Sequence, residues 1–191
     1  FQMDVLNRFL RYVAYPTTSD ESASTCPSTE GQRALGRQLV QDLCAMGVKD
    51  AHMDEHGYVY ATIPGNLPDR PVIGFIAHMD TAPDCSGEDI RPSVVAYEGG
   101  DIVLNAEKDV VLSPAVYPVL NDHIGKHLVV TDGTTLLGAD DKAGIAEIMT
   151  LAETLLKGDR RHGEIHVAFT PDEEIGSGAD RFNVNEFGCD F

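Results

Sequence analysis

The chain has 191 residues, and 14 Lys and Arg against 31 Asp and Glu leave a formal charge of −17. That excess, with no basic run to offset it, excludes nucleic acid and anionic membrane surfaces as partners, since both are bound through cations that meet phosphate. With 42% hydrophobic and 24% charged residues, the composition is that of a globular chain able to bury a core in one domain of ordinary size or slightly more. No run approaches the roughly 18 apolar residues of a membrane span, and Phe1-Gln2-Met3-Asp4 lacks the basic and apolar regions of a secretion signal, so the cytoplasm is the expected setting. Phe1 and Gln2, ahead of Met3, read as a processing remnant. Cys26, Cys44, Cys85 and Cys189 show no C-x-x-C spacing and are expected to be reduced structural thiols rather than a disulfide framework or a zinc site.

In chain order, Val5, Leu6, Phe9, Leu10 and Val13 recur at helical spacing until Pro16. A second helix is signalled by the hydroxyl residues Ser28 and Thr29 ahead of the stripe Leu35, Leu39, Val40, Leu43, Met46, with Gly47 as its stop. Tyr58 to Ile63 reads as a strand, and the apolar run Val72 to Ala77 as a strand buried on both faces, with His78 just beyond it. Residues 83–126 read as loop-rich with short strand-like pieces, and Leu128 to Thr131 resumes a strand. Ile145, Ile148, Met149, Ala152, Leu155 and Leu156 mark a helix ending near Gly158. A strand follows from Glu164 to Thr170, then a helix near Ala179 to Phe182, and Phe187 to Phe191 resembles the approach to another strand. Strands alternating with helices predict an α/β fold, a mostly parallel central sheet flanked by helices, incomplete at its carboxyl end.

Three polar clusters fall at strand ends, where open α/β sheets place their ligands: His78-Met79-Asp80, Asp140-Asp141 and Glu173-Glu174. Asp80, two residues from His78, can hold one ring nitrogen while the other binds a metal; H-x-D also serves to cap a turn. Asp140 stands between small residues that let a carboxylate approach and bridge two cations; it can equally be a helix cap. Of the adjacent Glu173 and Glu174, in an extended segment, one can ligate a metal and the other face a water as general base, although adjacent surface acids are commonly just solvated. Together the clusters form a nitrogen and oxygen donor set that suits zinc, with manganese or cobalt as substitutes.

The segments His78-Met79-Asp80-Thr81, Gly138-Ala139-Asp140-Asp141-Lys142-Ala143-Gly144 and Thr170-Pro171-Asp172-Glu173-Glu174-Ile175-Gly176 resemble the signatures of the di-zinc aminopeptidase and carboxypeptidase family that includes aminoacylase-like enzymes. Thr81 to Gly87, Leu112-Ser113-Pro114 and Thr131 to Met149 are similar, more narrowly, to its tripeptide aminopeptidases. The resemblance implies that His78 binds one zinc, Asp140 bridges two and Glu174 binds the other. It further implies that Asp80 orients His78, that Glu173 is the general base, and that the Asp140-Asp141 peptide is cis.

By the same resemblance, residues 1–191 correspond to the amino-terminal part of a catalytic domain. A further Asp ligand, a His ligand and a lid or dimerisation domain lie beyond it, and Asp190 is not assigned a ligand role. The implied activity is hydrolysis of the amino-terminal peptide bond of tripeptides, with the 191-residue chain by itself expected to be inactive. The alternatives are a related dipeptidase, aminoacylase or carboxypeptidase, or a non-catalytic fragment or binding module. A small peptide is the expected substrate, and an exposed sheet edge is expected to drive self-association into a homo-oligomer.

Overall fold

The computed structural model describes residues 4–191, so the reading of Phe1 and Gln2 lies outside the described residues. In chain order the elements are α1 (Val5–Val13), α2 (Glu30–Ala45), β1 (His52–Met53), β2 (Val59–Ile63), β3 (Ile73–His78), β4 (Ser93–Tyr97), β5 (Ile102–Asn105), β6 (Val110–Leu112), a 3-10 turn (Pro118–His123), β7 (Lys126–Val130), α3 (Ala139–Lys157), β8 (Ile165–Thr170) and α4 (Val184–Phe187). The chain divides into a unit of residues 1–84 and 138–191 and a second unit of residues 85–137.

In the first unit a sheet of order β1-β2-β8-β3 carries α2 on β1 and β2 and α3 on β2 and β3, with α1 against α3. The α/β class therefore holds, but the expectation of a mostly parallel sheet does not. In this sheet, among the described residues, β3 and β8 alone pair in parallel, whereas β1-β2 and β2-β8 are antiparallel. The strands β2 and β8 are mostly buried, while β3, read as buried on both faces, leaves Ile73 43% and Ile76 52% exposed. An unbroken apolar run does not distinguish a central strand from one at the sheet edge, and β3 is the latter in this sheet. On its outer side Gly74 N donates to Phe191 O at 2.8 Å and Asp190 N to Val72 O at 2.9 Å, in line with the strand-like reading of the final residues. The helix expected near Ala179 to Phe182 is instead a run of turns, and the helical residues are Val184–Phe187, capped by the Asn183 side chain.

The helix α1 begins where the Asp4 carboxylate accepts from Asn7 N at 2.8 Å, an N-cap of ordinary kind. Its buried face is Arg8, Phe9, Tyr12 and Val13. Periodicity placed Val5 and Leu6 on that face, yet both are exposed, because Arg8 and Tyr12 take the inward positions. Arg8 Nη2 donates to Glu153 Oε2 on α3 at 2.5 Å, with the side chains 3% and 6% exposed. Nearby, Tyr12 Oη donates to Asp42 Oδ2 on α2 at 2.9 Å. Burial of the phenol raises its pKa well above the usual tyrosine range, helped by the Asp42 charge.

The second unit turns the stretch read as loop-rich into two small antiparallel sheets, β4-β7 and β5-β6. They close on Tyr97, Ile102 and Leu120, with Leu104, Leu112 and Leu128 packed against them. No helix among the described residues is long and apolar enough to cross a membrane. All four cysteines are free thiols, with Cys44 and Cys85 exposed.

The buried ion pair between α1 and α3 yields the first prediction. Glu153→Leu leaves the Arg8 guanidinium buried without this carboxylate and should cost about 3–5 kcal/mol in urea unfolding. The double variant Arg8→Met, Glu153→Leu should recover most of that loss; a double variant no more stable than the single would contradict it.

Candidate metal centre

The site is built on register. In the parallel β3-β8 pair His78 lies opposite Thr170, so the residues that follow each strand leave the sheet at the same end. Those residues are His78 to Thr81 on one side and Pro171 to Glu174 on the other. The third segment arrives through Gly138, whose φ of 80° suits glycine, into the start of α3. Asp140 and Asp141 there are not yet helical (φ −88° and −122°), and their peptide bond is cis. The Asp141 carboxylate accepts from Gly144 N at 3.1 Å and so caps the helix. Capping thus falls to Asp141 and leaves Asp140 free for other work, its side chain 85% exposed.

Asp80 is 0% exposed and organises the rest. Its Oδ1 accepts from Glu173 N at 2.9 Å and its Oδ2 from Glu174 N at 3.0 Å. Its Oδ1 also stands 3.3 Å from His78 Nδ1, while its own carbonyl oxygen is closer to that nitrogen, at 3.0 Å. His78 Nε2 then points away from Asp80, 2.9 Å from Asp140 Oδ1 and 3.8 Å from Glu173 Oε2. Donor atoms of His78, Glu173 and Glu174 all lie within 4.8 Å of one another, a grouping able to hold a metal ion. Glu173 and Glu174 do not point to opposite sides as an extended segment would require. The chain turns at residues 173–176, Gly176 N donating to Glu173 O at 2.8 Å, and both carboxylates reach the same space.

The charges respond to this crowding. Burial works against the His78 imidazolium, but bonds to Asp80 and Asp140 prevail and push its pKa up to about 9. Burial would raise Asp80, yet its bonds to His78 and to the Glu174 and Glu173 amides hold it below the usual carboxylate range. Asp141 and Glu174 are raised, chiefly by burial. Lys142, fully buried at the start of α3, donates Nζ to Tyr15 O at 2.7 Å, and burial lowers its pKa to about 8.

The structure therefore brings all five sequence-predicted residues together: His78, Asp80, Asp140, Glu173 and Glu174. It adds residues that motif reading passed over. Asp172, 2% exposed, accepts from Ser28 N and Oγ and from Gln32 Nε2. Ser28 carried a signal, the hydroxyl ahead of α2, but it donates to Asp172 and accepts from the Gln32 side chain. Nothing local marked Gln32, whose partner is 140 positions away. Beside Glu173 opens a cleft lined by Ile76, Thr170, Ala179 and Phe182.

No protein-family model matches the chain. Among solved structures, the crystal structure of aminopeptidase PepT from Bacillus cereus superposes with a TM-score of 0.67 at 24% identity, over 98% of this chain and 41% of that one. Aminoacylhistidine dipeptidase from Vibrio alginolyticus gives 0.63 at 20% identity, over 98% and 31%. The fold is thus one shared with aminopeptidases and dipeptidases.

Within that class the sequence is similar to peptidase T. The identity is 56% over 190 residues with peptidase T of Halothermothrix orenii, covering 98% of this chain and 47% of the relative. It is 57% over 190 residues with that of Desulfitobacterium hafniense, covering 98% and 46%. The chain spans about half the length of the curated relatives it matches.

Asp80→Ala should leave two inward amides without their charged acceptor. Because hydrogen bonds to charged groups are worth about 1.5–3 kcal/mol each, the loss in urea unfolding is expected to be about 3 kcal/mol or more. A loss of under about 1 kcal/mol would mean that Asp80 does not hold the Glu173-Glu174 segment.

Proposed function

We propose that the chain is part of a metal-dependent aminopeptidase of the cytoplasm that removes the amino-terminal residue of tripeptides, a reading supported by its similarity to proteins named peptidase T. The observation that carries this reading is the convergence of His78, Glu173 and Glu174 donor atoms on the far side of a histidine whose other nitrogen is already engaged by Asp80.

The donor set fits a divalent cation. An imidazole nitrogen with carboxylate oxygens suits zinc, and cobalt or manganese as substitutes, while an acid partner behind the ligating histidine fixes its ring. His78 and Glu174 would hold the ion, Asp140 would bridge to a second, and Asp80 would orient His78. When bound, the metal polarises a scissile carbonyl and acidifies a water.

The chain's own part in the reaction is then proton handling and orientation. Glu173, its side chain 56% exposed, can reach a water and take its proton, then return that proton to the leaving amine. Asp80 fixes the Glu173 backbone so that the carboxylate does not wander. The surrounding negative charge favours the cationic amino terminus of a peptide. With a single group of three donors found among the described residues, the 191-residue chain by itself is expected to bind metal incompletely and to lack turnover.

Two tests follow. Glu173→Gln, made in the full-length enzyme, should lower kcat about 10²–10⁴-fold, the usual worth of a general base, with metal content unchanged; wild-type turnover would remove Glu173 from that role. In the 191-residue chain, Zn²⁺ titrated calorimetrically should bind, and His78→Ala should abolish that binding. Retained stoichiometric binding in His78→Ala would refute the assignment of the ligand. Self-association through the β3 edge is part of the same reading, and a strictly monomeric sedimentation profile would contradict it.

A further inference from the structure

The Asp172 to Glu174 backbone presents successive N–H groups, and none of these ends on another strand. Asp172 N donates to Gln32 Oε1 at 3.0 Å, Glu173 N to Asp80 Oδ1 at 2.9 Å and Glu174 N to Asp80 Oδ2 at 3.0 Å. Placement of the segment is therefore set by side chains from two distant elements. Asp80 is one of them, and the other is α2.

Gln32 is 0% exposed. An apolar side chain would fill that position without needing partners, whereas a buried amide is tolerated only when its polar atoms are bonded. Its amide grips Asp172 in both senses. Oε1 accepts from the Asp172 backbone, and Nε2 donates to Asp172 Oδ1 at 2.7 Å, with Ser28 Oγ and Thr29 Oγ1 each at 3.1 Å. Ser28 completes the ring, its Oγ donating to Asp172 Oδ1 at 2.5 Å and its N to Oδ2 at 2.8 Å. The residue so gripped has a φ of 56°, a region that non-glycine residues seldom occupy. It immediately precedes Glu173. Fixing both the main chain and the side chain of Asp172 fixes the direction in which the chain enters Glu173 and Glu174.

We propose that Gln32, supported by Ser28, is a positioning residue for the Glu173-Glu174 pair. This deepens the metal-centre reading above and rests on it for its consequence in ligand binding. Loss of the Gln32 amide frees the Asp172 backbone, lets the turn at residues 173–176 rotate, and spreads the donor atoms that the fold holds together.

The test uses the 191-residue chain and two readouts. The first is amide hydrogen exchange by NMR, which needs no metal. Gln32→Leu should speed exchange at Asp172, Glu173 and Glu174 while leaving Val167 to Phe169 in β8 at the wild-type rate. The second is titration with Co²⁺ alone, followed by its visible absorption. Gln32→Leu should raise the dissociation constant about 10–100-fold, as removal of a residue behind a metal ligand does, and alter the band shape. Ser28→Ala is the milder variant and decides the matter if Gln32→Leu does not fold.

Tyr12→Phe, which removes a hydrogen bond to Asp42 on the same helix as Gln32 but none of the bonds to Asp172, is the control and should change neither readout. Wild-type exchange at Glu173 and Glu174 in the folded variants, or an equal effect from Tyr12→Phe, would overturn the proposal. If the unaltered chain binds no Co²⁺, the metal reading falls, and the exchange data still decide whether Gln32 positions the pair.

Discussion

One buried carboxylate sets the terms for the site. Asp80 is out of water, and a charge there persists only if its lone pairs are met by donors. The donors it finds are the amides of Glu173 and Glu174 and the ring of His78. Each bond therefore does two things at once. It satisfies Asp80, and it aims a potential ligand: His78 is left with Nε2 outward, and the Glu173-Glu174 backbone is drawn toward the end of β3. The parallel register of His78 against Thr170 makes these bonds reachable, so sheet pairing and site geometry rest on the same contact.

The neighbouring acids divide their work according to direction. Asp80 and Asp172 point inward and are consumed by hydrogen bonds, and Asp141 caps α3. Asp140 and Glu173 keep exposed carboxylates, with Glu174 beside them in the same donor group. Like charges this close repel, and the neighbouring acids hold the pKa of His78 above its usual value against the effect of burial.

The sequence made the site more legible than the sheet. The clusters around His78, Asp140 and Glu173 were visible because chemistry-bearing residues followed apolar strand-like runs, and position at a strand end needs no knowledge of strand direction. Direction was the part that failed. Val59 to Ile63 is apolar enough to suit either a parallel or an antiparallel neighbour, and periodicity does not encode which way the partner runs; β2 turned out antiparallel to β8. Residues 83–126 were legible only as loop with short strand-like pieces. Val94 to Tyr97, Ile102 to Leu104 and Val110 to Leu112 are short runs split by Gly99-Gly100 and by polar turns, and only their pairing across the unit reveals them as strands. Gln32 was invisible because its meaning lies wholly in a contact with Asp172, far along the chain.

The position of that second unit explains how motifs so far apart in sequence meet. The chain leaves the first unit at Asp84 and returns at Gly138, so the excursion lies between the Asp80 and Asp140 segments. The two ends of the excursion abut within the first unit: a Cβ on Gly138 would stand 3.2 Å from Thr81 Cγ2. Thr81 is itself tied down, its N–H donating to Thr17 O and its carbonyl accepting from Ser19 N, each at 3.1 Å. Lys142 ties the other end to Tyr15, just ahead of the same 17–19 segment. The segment after α1 thus braces both arms of the break, and Asp80 and Asp140 keep their relation to His78 because a third stretch of chain, which carries no ligand, fixes the points from which they project.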